Sequence, residues 1–243
     1  MRVSGQVRVG GQVRVGGQVR VARELLLPAG RALPWRSPAA GAGLGLLILA
    51  VPRLTDTEPA PWLALVLLRC AILAHAVGLA FLMDDPARHT TATVPTRRAL
   101  RTAVRLALIT PVTALWWTAA LLLVPSHIRP PTGDLTLEAA AVCVLALAAG
   151  AAAVRLTDAP APGVSVAAAL LFTAVVAPLL LPDQWALFVP PGDQRWGVAH
   201  ERWAGVLAGA VVLWGICLPE PLRRGPGALR LRSPCGTSDP SRT

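Results

Sequence analysis

One arginine, Arg69, stands about nine residues into an apolar run that extends from Ala60 to Met83. A charge near the middle of a bilayer costs about 2.5–3.5 kcal/mol on insertion scales and by default faces a bundle interior. Nine residues of helix is about 13 Å, too far for the side chain to reach the interface by snorkelling without strain. Arg69 therefore belongs to a substrate pathway or to a structural ion pair. No acidic residue lies deep in another apolar run, and Glu138 is the nearest by depth. His75 follows six residues later, about 240° around the helix, so it points away from Arg69's face. A proton relay through both is not expected. Trp116 and Trp117 lie mid-run in a later segment, where they serve helix packing or line a ligand path. Arg69, His75, Trp116 and Trp117 are the candidate pathway residues.

A second group surrounds Asp84-Asp85-Pro86 at the end of the same run. Carboxylates at a helix C-terminus oppose its dipole, and Asp-Asp-Pro also serves simply to stop a helix. Arg97, Arg98 and Arg101 follow in the same loop and would complete a charged partner-docking surface with Asp84 and Asp85. Two carboxylates also suit acid–base work or a divalent cation, but no third ligand lies nearby. Other chemistry is excluded outright. All 23 basic residues are arginine, and the chain contains no lysine. A GxxxxGK[ST] phosphate loop, a Schiff-base lysine and a Ser–Lys dyad are therefore impossible. Its four cysteines form no CxxC pair, and its four histidines form no HxxxH or HExxH pair. No metal site, cofactor or catalytic residue is assigned.

The elements that position these residues follow from composition. Hydrophobic residues are 54% of the 243 and charged residues 15%, outside the usual range of soluble domains. Six apolar runs alternate with Pro/Arg/Asp-rich breaks: 39–51, 60–83, 106–124, 137–154, 164–181 and 203–218. A spanning helix needs about 20 apolar residues, with a range of about 17–25. The first run is the shortest and is Gly-rich. Prolines cluster where the runs end. If all six span, one side holds 7, 5, 1 and 5 arginines and the other 1, 1 and 2, a division of 18 against 4. Short cytoplasmic loops carry the excess of basic residues. The expected fold is an all-α, multi-pass membrane bundle of six helices with both termini cytoplasmic. A non-spanning first run would move the seven N-terminal arginines outside and set eight or more on the wrong side. The formal charge of +10 thus reflects threading through a lipid bilayer, and no nucleic-acid partner is implied.

Residues 1–34 form a basic leader with a repeated hexamer, Arg8-Val-Gly-Gly-Gln-Val and its neighbours. It reads as a disordered low-complexity segment, or as a tandem DNA repeat translated from a start codon placed too far upstream. Residues 35–219 are the membrane domain, and 220–243 a basic tail suited to anionic lipid. Residues 183–203 mix tryptophan, phenylalanine and charge as an interfacial loop does. Gly41/Gly45 and Gly205/Gly209 are small-xxx-small pairs that permit close helix approach, within the chain or in a homodimer.

Phe81-Leu-Met-Asp84-Asp85-Pro86, Val94-Pro95-Thr96-Arg97-Arg98 and Leu115-Trp116-Trp117 together resemble a group of actinobacterial integral membrane proteins described as ABC-transporter permeases or simply as membrane proteins. The resemblance covers roughly residues 35–220. The absence of lysine, asparagine and tyrosine agrees with a GC-rich gene of that source. The resemblance implies a permease subunit in the cell membrane that works with a separate ATPase, residues 84–104 being the coupling loop. It implies no catalytic role for the chain itself. The alternatives are a membrane-embedded enzyme using Asp84, Asp85 or His75, and a non-transporting accessory or scaffold protein.

Overall fold

Backbone groups in lipid find no water to bond with, so long apolar segments satisfy them internally by forming helices. The computed structural model describes residues 34–84, 98–157 and 161–217, and it is all-helical there. Six long helices follow in order: α1 Arg36–Leu54, α2 Pro61–Ala80, α3 Arg98–Leu123, α4 Thr132–Leu156, α5 Gly163–Leu180 and α6 Trp196–Cys217. Short 3-10 turns at Phe81–Met83 and Asp183–Trp185 follow α2 and α5. The stretches Arg36–Leu54, Pro61–Met83, Thr102–Leu123, Thr132–Leu156 and Gly163–Leu180 are each long and apolar enough to cross a membrane. The chain is a membrane-embedded, multi-pass helical protein.

The short first run gains length at both ends. Arg36 and Ser37 join its start, and the helix continues through Pro52 to Leu54. Thr55 then closes it, its amide donating to the Val51 carbonyl and its hydroxyl lying within bonding distance of the Val51 and Pro52 carbonyls. α6 has the required length at 22 residues, but its first turns carry His200, Glu201 and Arg202. Its register against α4 shows that it covers the same height. Trp196 meets Asp134 at one end, His200 meets Glu138 a turn later, and Arg155 meets the Ile216 carbonyl at the other end. Partners are 61 or 62 residues apart in every case, so α6 runs parallel to α4 along nearly its whole length.

The remaining contacts sort the bundle into two ends. Arg53 bonds the Leu122 carbonyl and Glu58 meets His127 at the end that carries the connections 55–60, 124–131 and 181–195, here the crown. Gly78 approaches Ser37, Asp84 bonds Gly163 and Arg105 bonds the Leu82 carbonyl at the opposite end, the base. α2 is the hub. It packs on α1, α4 and α5, and its residues enter all three buried clusters, among them Leu65, Leu68 and Ile72 toward the crown and Ala76 and Leu79 toward the base. Close packing of α1 on α2 depends on glycine. A Cβ on Gly41 would stand 2.5 Å from the Ala74 carbonyl oxygen and 3.0 Å from the Gly78 Cα. Gly205 and Gly209 have open space instead, so that pair packs nothing among the described residues.

The outer surface is apolar. Leu115, Leu122, Phe172, Val175, Leu179, Leu180 and Ile216 are all exposed. Contiguous apolar surface on this scale would drive a soluble protein to associate, whereas lipid solvates it.

Candidate functional site beneath the crown

α2 and α4 run in the same direction from the crown, which brings residues at similar depth together. Arg69 is eight residues into α2, about 12 Å down, and Glu138 six residues into α4, about 9 Å down. Arg69 Nε donates to Glu138 Oε2 at 2.8 Å and Nη2 donates to Oε1 at 2.6 Å. This is the bidentate fork that matches a guanidinium to a carboxylate. The Glu138 side chain is 2% exposed and that of Arg69 16%. The sequence offered no obvious partner for Arg69; the fold supplies Glu138, the acid nearest to it in depth.

A third group completes the cluster. His200, in the first turns of α6, sets Nε2 3.1 Å from Glu138 Oε1, the oxygen that already receives Arg69 Nη2. The approach lacks hydrogen-bond alignment, so it is a close approach and not a formed bond. Its other nitrogen, Nδ1, lies 2.8 Å from the Trp196 carbonyl oxygen. The Trp196 ring leans on the imidazole at 4.4 Å, and its indole Nε1 donates to Asp134 Oδ2 at 2.6 Å. Asp134 and Glu138 are thus one turn apart on α4, facing Trp196 and His200 one turn apart on α6.

The connection 181–195 folds down over these residues. Phe188 lies 5.4 Å from the Arg69 guanidinium, ring centre to carbon, and meets the Trp203 ring edge-on. The buried Val189 offers its carbonyl to Arg69 Nη2 at 3.5 Å. α6 holds the rest: Trp203 Nε1 donates to the Leu187 carbonyl, and Arg202 donates to the Gln184 and Ala186 carbonyls while lying over the Trp185 ring. The interfacial loop expected from aromatic content is therefore a lid bonded to α6 and resting on Arg69. At its far end Asp193 accepts side-chain and backbone hydrogen bonds from Arg195, which hold its carboxyl below the usual range.

The other expected pathway residues gather elsewhere. His75 stacks on Trp116 with ring centres 4.1 Å apart, and its Nε2 lies 3.2 Å from Thr113 Oγ1. It faces α3 while Arg69 faces α4, as their angular separation requires. Trp116 Nε1 donates to the Ala42 carbonyl and Trp117 Nε1 to Thr136 Oγ1. Both indoles are buried in helix contacts, Trp116 tying α3 to α1 and Trp117 tying α3 to α4. The four residues accordingly form two separate clusters and no single path.

At the base, Asp84 Oδ1 accepts the Gly163 amide at 2.8 Å. This carboxylate caps the N-terminus of α5 from a distant part of the chain, where the helix dipole favours negative charge. Only glycine admits it, because a Cβ at position 163 would stand 2.7 Å from Asp84 Oδ2 and from the Phe81 ring. Partial burial raises the Asp84 carboxyl above its ordinary range, and the Gly163 bond opposes that rise. Asp85 and Arg97 lie outside the described residues, and Arg98 and Arg101 are described only as helical backbone. The leader's repeats and the basic tail also lie outside them.

Among the described residues, no group of three or more His, Cys, Asp or Glu side chains comes together to hold a metal. What the crown cluster can do is hold charge: a guanidinium, a carboxylate and an imidazole share one dry contact. Comparison with protein-family models, curated proteins and solved structures finds no match to this chain.

Proposed function

We infer that the chain is the membrane-spanning permease subunit of an ABC-type exporter, seated in the cell membrane with both termini cytoplasmic and working with a separate ATPase. The observation that supports this reading is how the segment 84–105 is mounted. Asp84 is bonded to Gly163 and Arg105 to the Leu82 carbonyl, so the two ends of the segment are fastened together on the base. The residues between them include Asp85, Arg88, Arg97, Arg98 and Arg101. A charged segment anchored at both ends on a rigid bundle suits a surface that transmits force from a partner. The arginine division of 18 to 4 favours a cytoplasmic position for that segment, where an ATPase would work.

A second reading, a non-transporting accessory or scaffold protein, is favoured by one observation: the membrane-embedded charge of Arg69 is already matched by Glu138. Affinity purification of the full chain from its native membrane separates the two. The exporter reading expects an ATP-hydrolysing subunit in stoichiometric amount, lost when Arg97→Glu and Arg98→Glu are combined. A stable chain that brings down no ATPase supports the scaffold. An ATPase that stays bound to the double variant removes the docking role of these two arginines.

A further inference from the structure

A cavity of about 330 Å³ opens at the crown between the ends of α1, α2 and α3. Leu49, Ala64, Leu123 and Val124 give it an apolar floor. Arg53, Asp56 and Glu58, all exposed, give it a charged rim. Cavities that hold small ligands run about 300–1,000 Å³, so this one fits a headgroup and the first atoms of a chain, and not a whole lipid. The spans of α1, α2 and α3 end or begin at Leu54, Pro61 and Leu123, which sets the cavity level with the headgroup layer. Leu54 and Leu122 beside it are 73% and 66% exposed, as side chains that face lipid are.

Two of the rim charges are left over by the fold. Glu58 meets His127. Arg53 donates from Nη2 to the Leu122 carbonyl at 3.3 Å, a contact that does not neutralise it. Among the described residues Asp56 has neither a hydrogen-bond nor an ion-pair partner for its carboxylate. Asp56 stands just past the end of α1 at a φ of 49°, where glycine is usual, and the Thr57 amide donates across it to the Pro52 carbonyl at 2.9 Å. That turn holds a carboxylate where the helix dipole disfavours one. One cation and one anion, not paired to each other, therefore share the mouth of an apolar cavity.

We propose that this cavity binds the zwitterionic headgroup of a phospholipid, with the phosphate on Arg53, the ammonium on Asp56 and the adjoining carbons on the apolar floor. Arginine matches the oxygens of a phosphate, and an aspartate is the natural counter-charge of an ammonium. A zwitterion answers both rim charges at once. An anionic headgroup answers Arg53 alone and meets Asp56 and Glu58 as like charges. Bound there, the lipid joins the α1–α2 connection to the end of α3. The proposal is independent of any ATPase partner and of the side of the membrane on which the crown lies.

Native mass spectrometry of the delipidated full chain in detergent, titrated with phosphatidylethanolamine or phosphatidylglycerol of identical acyl chains, tests it. The native chain should bind phosphatidylethanolamine about threefold or more tightly than phosphatidylglycerol, the size of effect of one partly exposed ion pair. Asp56→Asn keeps a residue that tolerates positive φ, so the turn survives. It should weaken phosphatidylethanolamine by about the same factor and leave phosphatidylglycerol no weaker. Arg53→Gln should weaken both lipids, since both carry the phosphate. Equal binding of the two lipids by the native chain overturns the proposal, as does an Asp56→Asn chain that binds phosphatidylethanolamine as well as the native one or loses both lipids alike. Arg53→Gln with both affinities unchanged overturns it too, because the site would then read an ammonium alone. Should Arg53→Gln fail to fold, dodecyltrimethylammonium, which has no phosphate, decides the same point on the native chain. It should bind more weakly than phosphatidylethanolamine, and binding as tight overturns the proposal.

Discussion

Leucine at position 138 would leave the Arg69 guanidinium with one long bond to the Val189 carbonyl and the face of Phe188. Removing one partner of a buried ion pair typically costs about 3–5 kcal/mol, whereas replacing both with apolar residues is often neutral or stabilising. Glu138→Leu should therefore destabilise the full chain in detergent by about 3–5 kcal/mol. Adding Arg69→Leu should return stability to within about 1 kcal/mol of the native protein. Denaturant unfolding of the four proteins in a double-mutant cycle measures this. A double variant as unstable as Glu138→Leu would show that the pair's mutual charge is not what the site requires. Arg69 was visible in the sequence because hydropathy isolates a charge inside an apolar run; Glu138 stood out only as the acid nearest in depth, at the end of another run. His200 was missed because it sat in a stretch read as interfacial loop. The signal was present nonetheless: Asp134/Glu138 and Trp196/His200 are both i, i+4 pairs in the first turns of helices that start at the crown.

At the scale of elements, the two small-residue pairs make opposite predictions. Alanine at Gly41 would drive a methyl group against the backbone of α2, where neither the Ala74 carbonyl nor Gly78 can yield without moving a helix. Overpacking of this kind costs about 1–3 kcal/mol. Gly209→Ala meets open space and should be neutral or should stabilise by up to about 1 kcal/mol through helix propensity. Thermal unfolding of both variants, side by side, checks the pair; equal effects would contradict the close α1–α2 contact. The spans themselves were largely legible, since apolar length and terminal prolines fix where helices can lie. Partners were not. Which of two similar GxxxG faces is buried depends on helices brought in from elsewhere in the chain, and local spacing carries no record of that. Prolines 52, 111 and 178 sit inside α1, α3 and α5, so proline marks the neighbourhood of an end and not the end itself.

For the molecule as a whole, the number of crossings decides the side on which the chain ends. Five helices qualify by length and composition, and five crossings would leave the termini on opposite sides. The constant register of α6 against α4 argues for a sixth. Reporter domains placed before Trp35 and after Thr243 should accordingly share one compartment, the cytoplasm; an outward-facing C-terminal reporter would show that α6 stops short. The arginine distribution is what suggests this topology, because positive residues resist transfer wherever they occur. The folding down of 181–195 was not readable, since it depends on indole and arginine bonds to carbonyls that leave no mark on hydropathy. The α4–α6 register also has a mechanical meaning. Two parallel helices bonded at both ends cannot slide past one another; they tilt or turn as a single bar. From His200 to Ile216 that bar is about 24 Å long. An event that shifts His200 against Glu138 at the crown would thus be delivered to Arg155 at the base, with no moving part between them.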